Sequence, residues 1–92
     1  MRFQVETTPR FERELRRFLK KHPQLRERVD RVFQDLEQDP WQPHLRLHAL
    51  SGHLEGLHAV RVDFSNRVVL TLRVSEQEIV LVDIGSHDEV YR

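Results

Sequence analysis

The chain has 92 residues, of which 38% are hydrophobic and none is cysteine. This length suits one compact domain, and we assign residues 1–92 to it. The lack of cysteine excludes disulfide bonds, thiolate metal sites and thiol nucleophiles. With no apolar signal region and no run of about 18 apolar residues, the sequence predicts a cytoplasmic protein without a membrane partner.

The charged residues balance, fifteen basic against fifteen acidic. This balance argues against the strongly cationic surface that many nucleic-acid-binding proteins use. One segment is nevertheless basic, because residues 10–21 contain four arginines and two lysines but only two glutamates. We interpret that segment as the solvated face of a helix.

The first part of the chain predicts a strand followed by two helices. Alternating apolar and polar residues are typical of a strand over residues 1–7. Thr8, followed by a proline, supplies a cap for a helix over residues 9–21. Pro23 interrupts the helical pattern, and a second helical stripe then continues to a break near Pro40.

The second part predicts four strands. Apolar and polar residues alternate in the stretch "HLRLHAL", and "LSGHLEGL" carries two glycines that suit turns. The stretches "LHAVRVDF", "RVVLTLRV" and "EIVLVDI" are rich in β-branched residues, and the last is nearly all apolar, as in a central strand. We therefore predict an α+β fold in the order β-α-α-β-β-β-β, with a helical hairpin against a mainly antiparallel sheet.

The turn after "LHAVRVDF" decides which residues share a face of the sheet. We expect a three-residue loop over residues 64–66, with Asp63 opposite Arg67. This register places Phe64 and the alternating valines and leucines in the core. It also projects Arg61 and Arg67 from the opposite face within diagonal reach, an arrangement that suits an anion.

These motifs together resemble the RelE/ParE superfamily of toxins from bacterial toxin–antitoxin pairs, closest to the YafQ-like and RelE-like mRNA interferases. The family pattern is an L-x-G-x-x-x-G turn, an arginine on each of two strands, and a Gly-x-His or Gly-x-Arg ending followed four residues later by an aromatic residue. The matching positions here are Leu50, Gly52, Gly56, Arg61, Arg67, Gly85, His87 and Tyr91. The resemblance covers nearly the whole chain.

The resemblance implies an endoribonuclease that enters the ribosomal A site, cleaves mRNA and is held inactive by a cognate antitoxin. It also implies that neither a metal nor another cofactor is needed. In this chemistry a ribose 2′-hydroxyl attacks the adjacent phosphate, which requires a base, an acid and cations. The basic face of the first helix would be available to ribosomal RNA.

The resemblance also assigns roles to individual residues. His87 would be the general acid and His48 the base, while Arg61 and Arg67 would bind phosphate and Tyr91 would stack on a base. Alternatives remain for each: a tyrosine that packs the terminus, an exposed strand histidine, and arginines that are paired or solvated. The other histidines match no family position, and their spacing does not predict a zinc site.

Two departures from the family pattern bear on function. Asp88 and Glu89 stand where many RelE-like chains carry a basic or aromatic tail, and the net charge is zero rather than positive. Both features would weaken RNA binding if the acidic groups faced it. Two other functions share the fold: a ParE-like gyrase inhibitor, and an inactive relative that only binds an antitoxin.

Overall fold

The structure, a computed structural model, describes residues 2–91, and its elements follow the predicted order. The strands are β1 (Gln4–Glu6), β2 (His48–Ala49), β3 (His58–Arg61), β4 (Asn66–Arg73) and β5 (Glu78–Ser86). The α-helices are α1 (Pro9–Lys21), α2 (Arg26–Gln38) and α3 (His87–Val90). β1 is shorter than the predicted residues 1–7, of which Met1 lies outside the described residues.

Helix α1 begins and ends where the sequence predicts. The Thr8 hydroxyl accepts a hydrogen bond from the Phe11 N–H at 3.1 Å and donates one to the Leu81 carbonyl at 3.0 Å. The first bond caps the helix, and the second ties the cap to β5. Phe11 and Phe18 are buried against the sheet, where each contributes about 1.5–3 kcal/mol.

A turn at Pro23–Leu25 separates α1 from α2, as the proline predicts. Helix α2 buries Val29, Val32 and Leu36, which completes the apolar layer between the helices and the sheet. Among residues 2–91, no helix is both long enough and apolar enough to cross a membrane.

The five strands form one sheet in the order β1-β5-β4-β3-β2. β1 runs parallel to β5, whereas the other neighbouring strands are antiparallel. β5 therefore lies inside the sheet, between the first strand of the chain and β4. The predicted α+β fold with a mainly antiparallel sheet is confirmed.

A bulge in β5 changes which of its residues face the helices. Val69 lies opposite Asp83, but the next residue of β4 lies opposite Leu81, so Val82 has no partner on β4. The extra residue shifts the alternation of side chains by one. Ile84 consequently joins the core in place of Asp83. The bulge thus decides which face the end of β5 presents.

The β3–β4 loop differs from the prediction. Arg61 lies directly opposite Arg67, so the predicted pairing of Arg67 with Asp63 is wrong. Because the register differs by two residues, the strand side chains keep their predicted faces. Phe64, expected in the core, is instead 82% exposed. The Asp63 carboxylate accepts backbone N–H groups two and three positions onward, at 3.0 and 2.8 Å, and this turn directs Phe64 outward.

The strand predicted from "HLRLHAL" is reduced to two residues, His48 and Ala49. Pro43–Leu45 instead forms a 3₁₀ turn, and Arg46 adopts the left-handed region with φ 52°. Leu45 is fully buried and anchors this turn to the core. The apolar residues of "HLRLHAL" therefore mark an anchored turn rather than a long strand. This turn carries His48 to the edge of the sheet beside β3.

Candidate active site

Two histidines that lie far apart in the sequence meet at Tyr91. The Tyr91 hydroxyl lies 3.5 Å from Nε2 of His48, the distance of a long hydrogen bond. The Tyr91 ring packs edge to face against the His87 ring, with centroids 4.4 Å apart and planes at 87°. We call His48, Arg67, His87 and Tyr91 the tyrosine cluster.

The hydrogen bonds of His48 fix which of its ring nitrogens carries the proton. Nδ1 lies 2.8 Å from the Arg46 carbonyl oxygen, which only accepts hydrogen bonds. Nδ1 must therefore donate, and in the neutral imidazole Nε2 is left with its lone pair. That lone pair faces the Tyr91 hydroxyl, so His48 presents a proton acceptor to the cluster.

The short helix α3 positions His87 and Tyr91. Ser86 caps it, because its hydroxyl accepts the Glu89 N–H at 3.2 Å while the Glu89 carboxylate accepts the Ser86 N–H at 2.8 Å. This reciprocal pair is a capping box. The His87 N–H also donates to the Ser65 carbonyl at 3.1 Å, which ties α3 to the β3–β4 loop.

Gly85 allows α3 to fold back closely on β5. A Cβ atom at Gly85 would lie 2.9 Å from Oε1 of Glu89 and 3.5 Å from Val90. Since that same oxygen is held by the capping box, a side chain at this position would compete with the cap. Asp88 and Glu89 were expected to weaken RNA binding if they faced it; both are exposed, but the Glu89 carboxylate is engaged in the cap by the Ser86 N–H.

Arg67 organises the loop beside the cluster. Its Nη1 donates to the carbonyls of Asp63, Phe64 and Asn66 at 2.8, 3.1 and 3.0 Å. Its positive charge and a hydrogen bond from it lower the pKa of Tyr91, but the burial of the ring raises that pKa more strongly. The net pKa of Tyr91 lies above its ordinary value, so the phenol is neutral and able to donate at physiological pH.

Arg61 lies opposite Arg67 in the sheet, yet its side chain lines a different cavity. We call this cavity, of about 620 Å³ between α2 and β3, the arginine cavity. Its cationic lining residues are Arg28, Arg31, Arg46 and Arg61. The structure thus brings four predicted site residues together in the tyrosine cluster and places Arg61 at a neighbouring site.

The remaining histidines lie outside the cluster. His58 lies opposite Leu70 on the core-facing side, and its buried Nδ1 has no hydrogen-bond partner among residues 2–91. His44 forms an ion pair with Asp35 at 2.8 Å when protonated. Across residues 2–91, no three His, Cys, Asp or Glu side chains converge as metal ligands would.

Sequence reasoning missed several residues that shape the site. Asp63 is predicted only as a partner for Arg67, although an Asp two and three residues before Ser65 and Asn66 is a common turn signal. The Ser86-x-x-Glu89 spacing is the sequence signature of a capping box and predicts α3. The role of Arg46, whose carbonyl orients His48, depends on a left-handed backbone and leaves no comparable signal.

Several solved toxin structures have the same fold. The DinJ–YafQ toxin–antitoxin complex of E. coli matches with 13% identity over 100% of both chains and a TM-score of 0.79. The RelBE2 toxin–antitoxin complex of Mycobacterium tuberculosis matches with 19% identity, over 95% of this chain and 100% of that chain, and a TM-score of 0.74. A metal-bound toxin of Helicobacter pylori matches with 24% identity, over 96% and 98%, and a TM-score of 0.77.

A search of curated protein sequences gave no significant match. The family model described as "Bacterial toxin of type II toxin-antitoxin system, YafQ" matches residues 3–92. This match confirms the resemblance to the RelE/ParE superfamily and selects the YafQ branch within it. The chain therefore belongs to the YafQ family of toxins from bacterial type II toxin–antitoxin systems.

Proposed function

We propose that this toxin is a ribosome-dependent endoribonuclease that cleaves mRNA in the A site. The observation that supports this most directly is the tyrosine cluster, in which two imidazoles flank one phenol beside a guanidinium. A cluster of this composition supplies a base, an acid and a cation within one small region. These are the groups that transesterification of RNA requires.

In the proposed reaction His48 and His87 have opposite roles. Nε2 of His48, left unprotonated by the Arg46 carbonyl, takes the proton from a ribose 2′-hydroxyl. The 2′-oxygen then bonds to the adjacent phosphorus, and the bond from phosphorus to the 5′-oxygen breaks. His87, in its protonated form, gives a proton to the departing 5′-oxygen. The products are a 2′,3′-cyclic phosphate and a 5′-hydroxyl end, formed without a metal or other cofactor.

Arginines and the tyrosine would bind the RNA strand. Arg67 is close enough to Tyr91 to affect its ionisation and would stabilise the charge on the reacting phosphate. Arg61, in the arginine cavity, would bind a phosphate further along the strand. The Tyr91 ring would stack on a base, a contact worth about 1–3 kcal/mol.

A cognate antitoxin is the proposed protein partner. DinJ–YafQ and RelBE2, which share this fold, are both toxin–antitoxin complexes. We propose that an antitoxin of the same kind binds this chain and blocks access of mRNA to the tyrosine cluster.

A reconstituted translation reaction tests the proposal. Purified toxin is added with and without ribosomes, and new mRNA 5′ ends are mapped and tested for a 5′-hydroxyl. We expect cuts at A-site codons that require ribosomes and disappear with His87→Gln. If the toxin makes no cuts under conditions in which a control mRNA interferase is active, the nuclease proposal is wrong. DNA supercoiling by gyrase and antitoxin pull-down would then test the two other functions.

A further inference from the structure

Phe64 is a large apolar side chain left in solvent beside the candidate active site. It is 82% exposed, more than the exposed large apolar residues Trp41 and Val74 at 50% and 52%. Single exposed apolar residues are ordinary on protein surfaces. Phe64 differs because of the cavity that it lines and because of the rigidity of the loop that carries it.

The loop that carries Phe64 is fixed on both sides. Asp63 Oδ1 accepts the N–H groups of Ser65 and Asn66, and Arg67 Nη1 donates to three loop carbonyls, including that of Phe64. The Ser65 carbonyl also accepts the His87 N–H at 3.1 Å. Phe64 is therefore held in a defined place relative to His87.

Phe64 and His87 line the same cavity, which has a volume of about 430 Å³. The cavity is completed by Ser65, Arg67, Ser86 and Asp88. The Arg61 guanidinium lies 5.7 Å from the Phe64 ring centroid and covers one face of the ring. Because Phe64 is nevertheless 82% exposed, its ring retains surface that a planar ligand can contact.

We propose that Phe64 is a base-stacking residue, and that an mRNA nucleobase next to the cleaved phosphate lies on its ring within this cavity. The inference rests on the proposed nuclease function and adds a specificity residue to it. A phenyl ring with one arginine against it and a second arginine in the same cavity is typical of surfaces that bind single-stranded nucleic acid. The exposed Asp88 carboxylate would repel a phosphate here but would accept an amino group of a base.

A direct binding experiment tests the stacking without requiring cleavage. The probe is a trinucleotide with 2-aminopurine and a 2′-O-methyl group at the attacking position, whose fluorescence falls when the base stacks. We expect Phe64→Ala to weaken binding about tenfold to a hundredfold and to remove the fluorescence change, while Phe64→Trp retains both. Val74→Ala removes another exposed apolar side chain and should bind as the wild type does.

Cleavage on ribosomes provides the second measurement. For Phe64→Ala we expect a higher KM with kcat nearly unchanged, and a changed preference for the nucleotide beside the cut. If Phe64→Ala matches the wild type in probe binding, KM and cut pattern, the stacking role is wrong although the nuclease proposal stands. If Phe64→Ala weakens probe binding but no variant cleaves mRNA, the stacking role stands and the nuclease proposal fails. A wild type that neither binds the probe nor cleaves mRNA overturns both.

Discussion

At the residue scale, the surroundings of His48 and His87 differ in a way that suits different roles. His48 has Nδ1 tied to a backbone carbonyl, so its Nε2 is preset as a proton acceptor. The His87 side chain is 62% exposed, so its ring can exchange protons with solvent, and its Nδ1 lies 3.6 Å from the Asp88 carboxylate. The structure thus presets His48 as an acceptor, and the proposed reaction leaves the role of acid to His87.

Replacing either histidine should lower the cleavage rate without a comparable loss of folding stability. We expect His87→Gln and His48→Gln each to lower the cleavage rate on ribosomes by about 10²- to 10⁴-fold, because each removes one proton transfer. Both side chains are exposed, so the free energy of unfolding should change by less than about 0.5 kcal/mol. His53→Gln is the control, since it alters an exposed histidine outside the cluster. Equal rates for His87→Gln and His53→Gln would refute the role of His87.

The ionisation of Tyr91 can be measured directly, because the chain has one tyrosine. Burial raises the pKa of Tyr91 above the ordinary 10.0, so its phenolate absorbance should appear at higher pH in the folded protein than in denaturant. The folded state then holds this proton more tightly than the unfolded state. The contribution of Tyr91 to stability is therefore complete below pH 10.0. It is lost as the pH rises through the pKa that Tyr91 has in the folded protein.

Unfolding in denaturant at several pH values tests whether stability falls, as expected, when Tyr91 ionises. Above the ordinary pKa of tyrosine, the wild type should lose stability relative to Tyr91→Phe, and below it the difference between them should be constant. An absorbance midpoint at or below that of the denatured chain would show that Arg67, rather than burial, controls the phenol.

At the element scale, the one-turn helix α3 follows β5 directly and positions the two site residues His87 and Tyr91. Its capping box holds the turn closed, and the bond from the His87 N–H to the Ser65 carbonyl holds it against the loop. A helix this short has little stability of its own, so these bonds decide where His87 and Tyr91 lie.

The Gly85→Ala substitution tests that dependence. The new methyl group would displace Glu89 from the cap, which should cost about 0.5–2 kcal/mol of stability. We expect the cleavage rate to fall more than this loss explains, because both site rings move with α3. Glu89→Gln preserves a capping box and should remain close to the wild type. Full activity of Gly85→Ala despite lower stability would show that α3 does not position the site.

The elements show which features local sequence patterns encode. Helix α1 is predictable with both of its ends, because Thr8, Pro9 and the apolar spacing act within a few residues of each other. The bulge at Val82 and the outward position of Phe64 were not predicted. Each depends on contacts across the sheet or between a side chain and the backbone, and the apolar pattern alone does not report these.

At the scale of the whole molecule, zero net charge conceals an uneven distribution. The arginine cavity concentrates four guanidiniums next to the tyrosine cluster, although Asp35 and Glu27 also line it. The family motif predicts both strand arginines as phosphate-binding residues, and the predicted register puts them within reach of one anion. The structure places Arg61 in the lining of the arginine cavity, with its guanidinium beside the Phe64 ring, and a linear motif carries no such information.

The salt dependence of RNA binding distinguishes this cavity from the basic face of α1. In the double variant Arg31→Gln/Arg46→Gln, we expect weaker binding to a single-stranded oligonucleotide. The slope of log K against log salt should also fall by about 0.7 for each phosphate that the variant no longer neutralises. Arg13→Gln/Arg16→Gln removes the same charge from α1 and should change the slope less. The opposite ranking would assign RNA binding to α1.

The parallel pairing of β1 with β5 also has a kinetic consequence. Gln4 pairs with Glu78, so one edge of the sheet is formed by strands from distant parts of the described chain. Contacts this distant in sequence require a large loss of chain entropy before they stabilise the fold. The β4–β5 hairpin and α3 are local by comparison, and we expect them to form first. After refolding, toxin activity would then appear only at the rate at which β1 docks against β5 at the edge of the sheet.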